Sequence, residues 1–241
     1  MPFTIDKKLA DNYSGYYEHD DGLSEWRRLG ALDKSANITR LCSPLPHNNI
    51  LEIGCGDGAI LERLSTTGFG EKFTGLEISP SGVKKAHDRK IPNTEIQLFD
   101  GHEIAFPDKT FDLAILTHVI EHVEYPRKLI YEAARVAHTV FIEVPLEDTF
   151  RLSPDYVFDS VGHINFYNPK TIRRLVQTCG MTVLNAHLSH SSRPLYIFRK
   201  GKLRGTLAHL TKDVALHLWP ALAANSLTYH YSLTCKTTPR E

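Results

Sequence analysis

The segment Asn48-Asn-Ile-Leu-Glu-Ile-Gly-Cys-Gly-Asp-Gly58 constrains this chain more than any other. Its aliphatic run reads as a short buried strand. The alternate glycines Gly54, Gly56 and Gly58 read as a sharp reversing turn, and a helical pattern follows from about 58 to 67. A strand that turns directly into a helix feeds a parallel crossover, because a helix is needed to carry the chain back before the next strand pairs. The pattern then repeats. EKFTGLEIS, TEIQLFD, FDLAILTH, HTVFIEVP and MTVLNAHLS read as strands, and SLTYHYSLTCK reads as the last one. Between them, Ser79-Pro80 opens a helix with a good N-cap, residues 125–137 form another, and NPKTIRRLVQTCG is capped and ends at Gly180. Such alternation predicts an α/β fold with a doubly wound, mainly parallel seven-stranded sheet. No simple crossover helix separates the last two strands, which predicts an antiparallel C-terminal edge pair.

The 241 residues are ordinary in composition, with 41% hydrophobic, 23% charged and 28 basic residues against 28 acidic ones. Disordered, collagen-like and coiled-coil classes are excluded, and no run approaches the roughly 18 apolar residues of a membrane helix. The first residues lack a signal-peptide core, so the expected location is cytoplasmic. Cys42, Cys55, Cys179 and Cys235 are scattered without a CxxC pair and read as reduced, mostly buried thiols. The expected organisation is an N-terminal helical extension over 1–45 and a core over 46–241, with a lid insertion at 146–168 and a helical insertion at 204–225. Residues 189–241 carry eight Lys/Arg against Asp213 and Glu241, so the remainder is net acidic. A neutral total argues against general nucleic-acid binding. A monomer or homodimer is expected.

Ligands of open α/β sheets bind beyond the carboxyl ends of the strands. There the glycine turn allows close backbone approach and offers N–H groups to an anion. Glu77 ends the second strand, 23 residues beyond Gly54, and a carboxylate at that point can accept both hydrogen bonds of a ribose diol. Asp100-Gly101 end the third strand, placed to meet an adenine edge. Gly54, Gly56 and Ala59 alone also fit a dinucleotide fingerprint. The full set, ILEIGCGDG, TGLEISP, LFDGHEIAFPDKTFDLAI and THVIEHV, resembles the class I S-adenosylmethionine-dependent methyltransferases, particularly the small-molecule group that includes ubiquinone-type O-methyltransferases. The resemblance covers about residues 48–188. It implies that Gly54, Cys55, Gly56 and Gly58 wrap the methionine portion with Glu52 near its ammonium. It implies further that Glu77 and Ile78 hold the ribose, that Asp100 and Gly101 hold the adenine, and that Thr117 and His118 sit beside the sulfonium.

In His118-Val-Ile-Glu121-His122, residues 118, 121 and 122 share a face if the segment is helical. Three readings carry equal weight. A related small-RNA 2′-O-methyltransferase family uses ExxEH and a later His to hold Mg²⁺; Glu121, His122 and His163 match three of those positions, while His118 replaces the first Glu. A histidine-rich set suits zinc or another borderline divalent metal better than Mg²⁺. Alternatively His122 or His163 is a general base, or Glu121 and His122 only brace the segment. The absence of an Asn/Asp-Pro-Pro-Tyr/Phe tetrad favours transfer to oxygen, on a small-molecule or glycan-like acceptor. Tyr13, Tyr16, Tyr17 and Trp26, and Arg151 and Tyr156 in the lid, are the acceptor-pocket candidates. The basic stretch 193–204 is read as a solvated loop followed by a helix that caps the sheet or forms a dimer face, in preference to a membrane-surface anchor. The rivals are a NAD-dependent oxidoreductase, for which Tyr125 is followed four residues on by Leu129 and not by a lysine, and a non-catalytic S-adenosylmethionine-binding module.

Overall fold

The computed structural model describes Tyr17 and residues 23–153, 155 and 162–237. Tyr13, Tyr16 and Tyr156 lie outside the described residues, as does part of the expected lid. Helix α1 (Leu23–Cys42) leads into β1 (Asn49–Ile53), α2 (Ala59–Thr66), β2 (Lys72–Glu77), α3 (Pro80–Asp88) and β3 (Thr94–Leu98). There follow β4 (Phe111–Thr117), α4 (Pro126–Val136), β5 (Ala137–Pro145), α5 (Pro169–Thr178) and β6 (Met181–Ser189). Three helices, α6 (Arg193–Lys200), α7 (Lys202–Leu218) and α8 (Pro220–Ser226), then precede β7 (His230–Thr237).

The seven strands form one sheet in the order β3-β2-β1-β4-β5-β7-β6. β7 pairs antiparallel with β5 on one side and with β6 on the other, which is the antiparallel pair expected at this edge. From β1 the chain builds outward through β2 and β3, then returns to place β4 on the opposite side of β1. The crevice beyond β1 and β4 is therefore the switch point at which such sheets hold ligands.

Alternate residues of the central strands feed two cores. Ile50, Leu113 and Ile115 pack with Ile38 and Leu41 of α1 and Leu61 and Leu64 of α2. Leu51, Ala114 and Leu116 pack with Ile130 and Ala133 of α4 and Ile172 and Val176 of α5. This is the two-residue period of a strand buried on both faces, and each fully buried Leu or Ile contributes about 1.5–3 kcal/mol.

Local chemistry sets the element boundaries. Asn168 Oδ1 accepts from the N–H groups of Lys170 (2.9 Å) and Thr171 (3.0 Å), Thr171 Oγ1 accepts from Asn168 N–H (2.9 Å), and Pro169 fills the first turn of α5. Residues 193–200 correct one expectation, because they form α6 and not a loop. Pro194 starts the helix, and Leu195 and Tyr196 supply a buried face that outweighs the charge density from which a loop was read. The helical insertion accordingly spans 193–226 in three pieces. All four cysteines are buried and free. Among the described residues no helix is long and apolar enough to cross a membrane.

Candidate active site

A cavity of about 800 Å³ opens beyond β1, β2 and β4, walled on one side by α1. Its floor is the glycine turn. Gly54 and Gly56 have φ of 74° and 58°, in the left-handed region. A Cβ on Gly54 would lie 2.7 Å from Val119 Cγ2, and one on Gly56 would lie 2.6 Å from the Tyr17 hydroxyl, so the turn admits neither. Gly54 N–H and Cys55 N–H both donate to Leu76 O, at 2.7 and 3.0 Å. Glu77 ties the turn to the start of α3: Gly56 N–H donates to its Oε2 (2.7 Å) and Ser79 N–H to its Oε1 (2.9 Å). Burial raises the Glu77 carboxyl above its ordinary range, and these backbone bonds work against that rise. Glu52 is buried, its Oε2 finds no hydrogen-bond partner among the described residues, and burial pushes its carboxyl well up. Asp57, itself in the cavity wall, braces the turn, accepting from Arg89 Nη2 at 2.7 Å with Arg27 Nε at 3.4 Å.

Most of the expected cofactor residues line this one cavity: Glu52, Gly54, Cys55, Gly56, Glu77, Ile78, Gly101, Thr117 and His118. Two do not. Gly58 caps α2 and packs toward Ala86 and Ile91. Asp100 is exposed and folds back on its own loop, its Oδ1 accepting from His102 N–H (2.7 Å) and Glu103 N–H (3.2 Å), a local turn that short acidic side chains favour. Phe99 and His102 line the wall where Asp100 was expected. Of the acceptor candidates, Tyr17 and Trp26 line the cavity, whereas Arg151 is exposed and outside it.

The segment 118–122 is a turn and not a helix. His118 has φ of 56°, which a helix cannot accommodate, and His122 N–H donates to Val119 O at 3.0 Å. The turn nevertheless gathers the ionisable groups. His118 stands between two buried carboxylates, its Nδ1 3.4 Å from Glu121 Oε1 and its Nε2 3.3 Å from Glu143 Oε1. Glu143 Oε2 is fixed by Asn37 Nδ2 and Ser232 Oγ, both donating at 2.7 Å. The His122 ring lies 4.6 Å from that of His163, and His163 Nδ1 is 2.6 Å from Glu147 Oε2. His230 meets His118 edge-on at 4.9 Å. All four histidines line the cavity, while Glu121 is buried behind them. Burial pushes Glu121 up to about 7. It pulls His122 down to about 4, with the His163 charge acting the same way, and His230 down to about 3, with help from His118.

The ligand atoms of Glu121, His122 and His163 lie within 4.8 Å of one another, and so do those of His118, Glu143 and His230. Each trio, with two imidazoles and one carboxylate, has a donor set suited to a borderline metal such as zinc and poorly suited to Mg²⁺.

Several lining residues were not anticipated. Arg27, Gly30, Ala31 and Lys34 of α1 face the cavity at helical spacing, a signal present in the sequence but eclipsed by the apolar face of the same helix. His230 lies 112 positions beyond His118 and carried no local signal; only the sheet order joins them.

Comparison with known proteins agrees with this geometry. The chain is 26% identical over 138 residues to the 27-O-demethylrifamycin SV methyltransferase of Amycolatopsis mediterranei, a match covering 55% of this chain and 49% of that protein. It is 32% identical over 115 residues to the demethylmenaquinone methyltransferase of Tropheryma whipplei, covering 47% and 44%. The chain thus spans about half the length of the curated relatives it matches. Among solved structures it superposes on the cyclase SpnF with a TM-score of 0.63 at 16% identity, covering 86% of this chain and 81% of that one. It also superposes on the Haemonchus contortus phosphoethanolamine N-methyltransferase 2 complex with S-adenosyl-L-methionine, with a TM-score of 0.61 at 16% identity, covering 86% and 53%. A family model described as a methyltransferase domain matches residues 25–186. That span runs from α1 into β6 and takes in the ends of β1, β2 and β4 that meet the cavity, though not His230 of β7, and the chain belongs to this family, the class I S-adenosylmethionine-dependent methyltransferases.

Proposed function

We propose that this chain transfers the methyl group of S-adenosylmethionine to a hydroxyl oxygen of a small-molecule or glycan-like acceptor. The observation that carries the reading is convergence: the glycine turn after β1, Glu77 at the end of β2 and Thr117-His118 at the end of β4 meet in one cavity. The residues suit the cofactor. Glu52 keeps a buried, unpartnered oxygen in the wall, suited to an ammonium, and the turn leaves no room for side chains where a ligand backbone would lie. In this reading Glu77 accepts from the ribose diol and Phe99 and Gly101 flank the adenine, a reading supported by all three lining the same cavity. When bound, S-adenosylmethionine supplies a methyl group already activated by its sulfonium. The protein must then position the acceptor in line and remove its proton. His163 is the base in this reading, since the Glu147 carboxylate at 2.6 Å orients its ring and stabilises the imidazolium that forms. His122, neutral at physiological pH, shapes the site beside it.

Calorimetric titration with S-adenosylhomocysteine and, separately, NADH tests the class. Micromolar affinity for the first alone, about −8 kcal/mol, supports the proposal, as does its loss in Glu77→Ala. NADH binding alone would replace it with an oxidoreductase. A second reading is a non-catalytic S-adenosylmethionine-binding module, since a fold shared with the cyclase SpnF does not by itself specify methyl transfer. Tight cofactor binding with no methylation of any hydroxyl acceptor would select it. Chelator treatment addresses the metal: the base reading expects turnover to survive, and loss restored by zinc would replace it with a metal reading, for which Glu121, His122 and His163 are the candidates.

A further inference from the structure

Helix α7 has two apolar faces, and among the described residues only one of them is packed. Gly205 sits against α6 so closely that a Cβ there would lie 2.5 Å from Tyr196 O, and Ala215 and Leu216 pack on the core. On the opposite side Leu203, Leu207, Leu210, Val214 and Leu218 recur at spacings of three and four, which aligns them in one stripe. Each is between 52 and 84% exposed, and Trp219 and Leu222 extend the stripe onto α8 at 59 and 60%. Seven large apolar side chains in one exposed row mark an interaction surface, since nothing in the packing of the described residues requires them.

The charge around the stripe is one-sided. Arg193, Arg199, Lys200, Lys202 and Arg204 are all exposed and cluster at its N-terminal end. The single acid between residues 190 and 229, Asp213, is engaged by His190 Nε2 (2.9 Å) and His209 Nδ1 (3.2 Å). A second copy of this helix would therefore offer those cations no acidic partner. An anionic lipid surface would satisfy both features at once: acyl boundary for the leucines, headgroups for the lysines and arginines, and the interface level for Trp219. The 17-residue helix is about 25 Å long, and Asp213 to His190, Lys212 O to the Tyr229 hydroxyl, and Ala215 and Leu216 on the core hold it against the body on the side opposite the stripe, so the stripe can meet a plane.

We propose that α7 and the start of α8 dock this protein in-plane on an anionic bilayer surface. The proposal stands apart from the methyl-transfer reading. Its consequence for the cavity is geometric: α6 contributes Leu195 and Arg199 to the cavity wall and its backbone to the seat of α7, so docking brings that wall to the headgroup layer.

The test is sedimentation of the full chain with vesicles of phosphatidylcholine alone and of phosphatidylcholine containing about one third phosphatidylglycerol. Binding is expected to the anionic vesicles, with a blue shift of Trp219 emission, and to weaken as salt rises. Leu207→Asp with Val214→Asp should weaken it roughly tenfold or more, and Lys202→Glu with Arg204→Glu by a similar factor, while circular dichroism and the thermal midpoint show both variants folded. Equal partitioning of the wild type with anionic vesicles, neutral vesicles and buffer overturns the proposal. So does a wild-type dimer in solution that Leu207→Asp with Val214→Asp dissociates without any change in vesicle binding, which would make the stripe a contact between copies.

Discussion

His122 and His163 stand with ring centroids 4.6 Å apart yet meet different surroundings. His122 Nδ1 lies 3.1 Å from a backbone carbonyl, that of Gly162, whereas His163 Nδ1 lies 2.6 Å from the Glu147 carboxylate. A carboxylate stabilises an imidazolium far more than a neutral carbonyl does, so the proton removed from an acceptor belongs on His163. His163→Gln should lower kcat by about 10²–10⁴ while leaving S-adenosylhomocysteine affinity unchanged. Glu147 is the positioning residue: Glu147→Gln should cost less and move the acid limb of the rate profile to lower pH, a shift that a merely structural contact would not produce. Normal rates in both variants would remove the base assignment. Much of this constellation was legible in the sequence, because Glu121, His122 and His163 are of the right type and follow strand ends. The helical spacing was not the reason they meet. The left-handed backbone at His118 replaces the helix with a turn, and the turn itself delivers Glu121 and His122.

At the level of elements, legibility followed burial. β4 and β5 are nearly continuous apolar runs because helices cover both their faces, and their bounds could be read closely. α6 was missed because its buried face is only two residues wide beneath a dense row of cations. Its junction with α7 is a place where two opposing effects can be ranked. Replacing Gly205 by alanine gains about 1 kcal/mol of helix propensity. The new Cβ, however, would lie 2.5 Å from Tyr196 O and 2.7 Å from Ile197 Cα, both backbone atoms that cannot rotate away. Overpacking of this kind costs about 1–3 kcal/mol, and here α7 must also shift as a unit. Gly205→Ala is therefore expected to destabilise by about 1–2 kcal/mol in urea unfolding, and a stabilised variant would show that α7 does not seat on α6 at this residue. The seat matters beyond stability, because the same contact sets the outer stripe of α7 relative to the cavity wall.

Across the whole molecule, inserting β7 between β5 and β6 brings the two ends of the sequence's ionisable set together, since Glu143 pairs with Ser232 in register and His230 lies two residues away against His118. This long-range pairing made half of the site unreadable from local spacing, and it also couples the site to the stability of the fold. His230 is held down to about 3 by burial first and by the neighbouring His118 second, against an ordinary value of 6.5. In the unfolded chain His230 takes up its proton as pH falls through 6.5, whereas in the folded protein it stays neutral until far lower pH. The unfolded state thus binds more protons across that window, and the stability His230 supplies is present above pH 6.5 and is lost as pH falls toward 3. His230→Asn has no such proton to take up. The stability difference between wild type and variant should therefore shift in favour of the variant by up to about 2 kcal/mol on going from pH 7 to pH 5. Urea midpoints at the two pH values measure it. A difference independent of pH would mean that His230 is solvated in the folded protein, and that β7 does not press its ring against His118 as the sheet order requires.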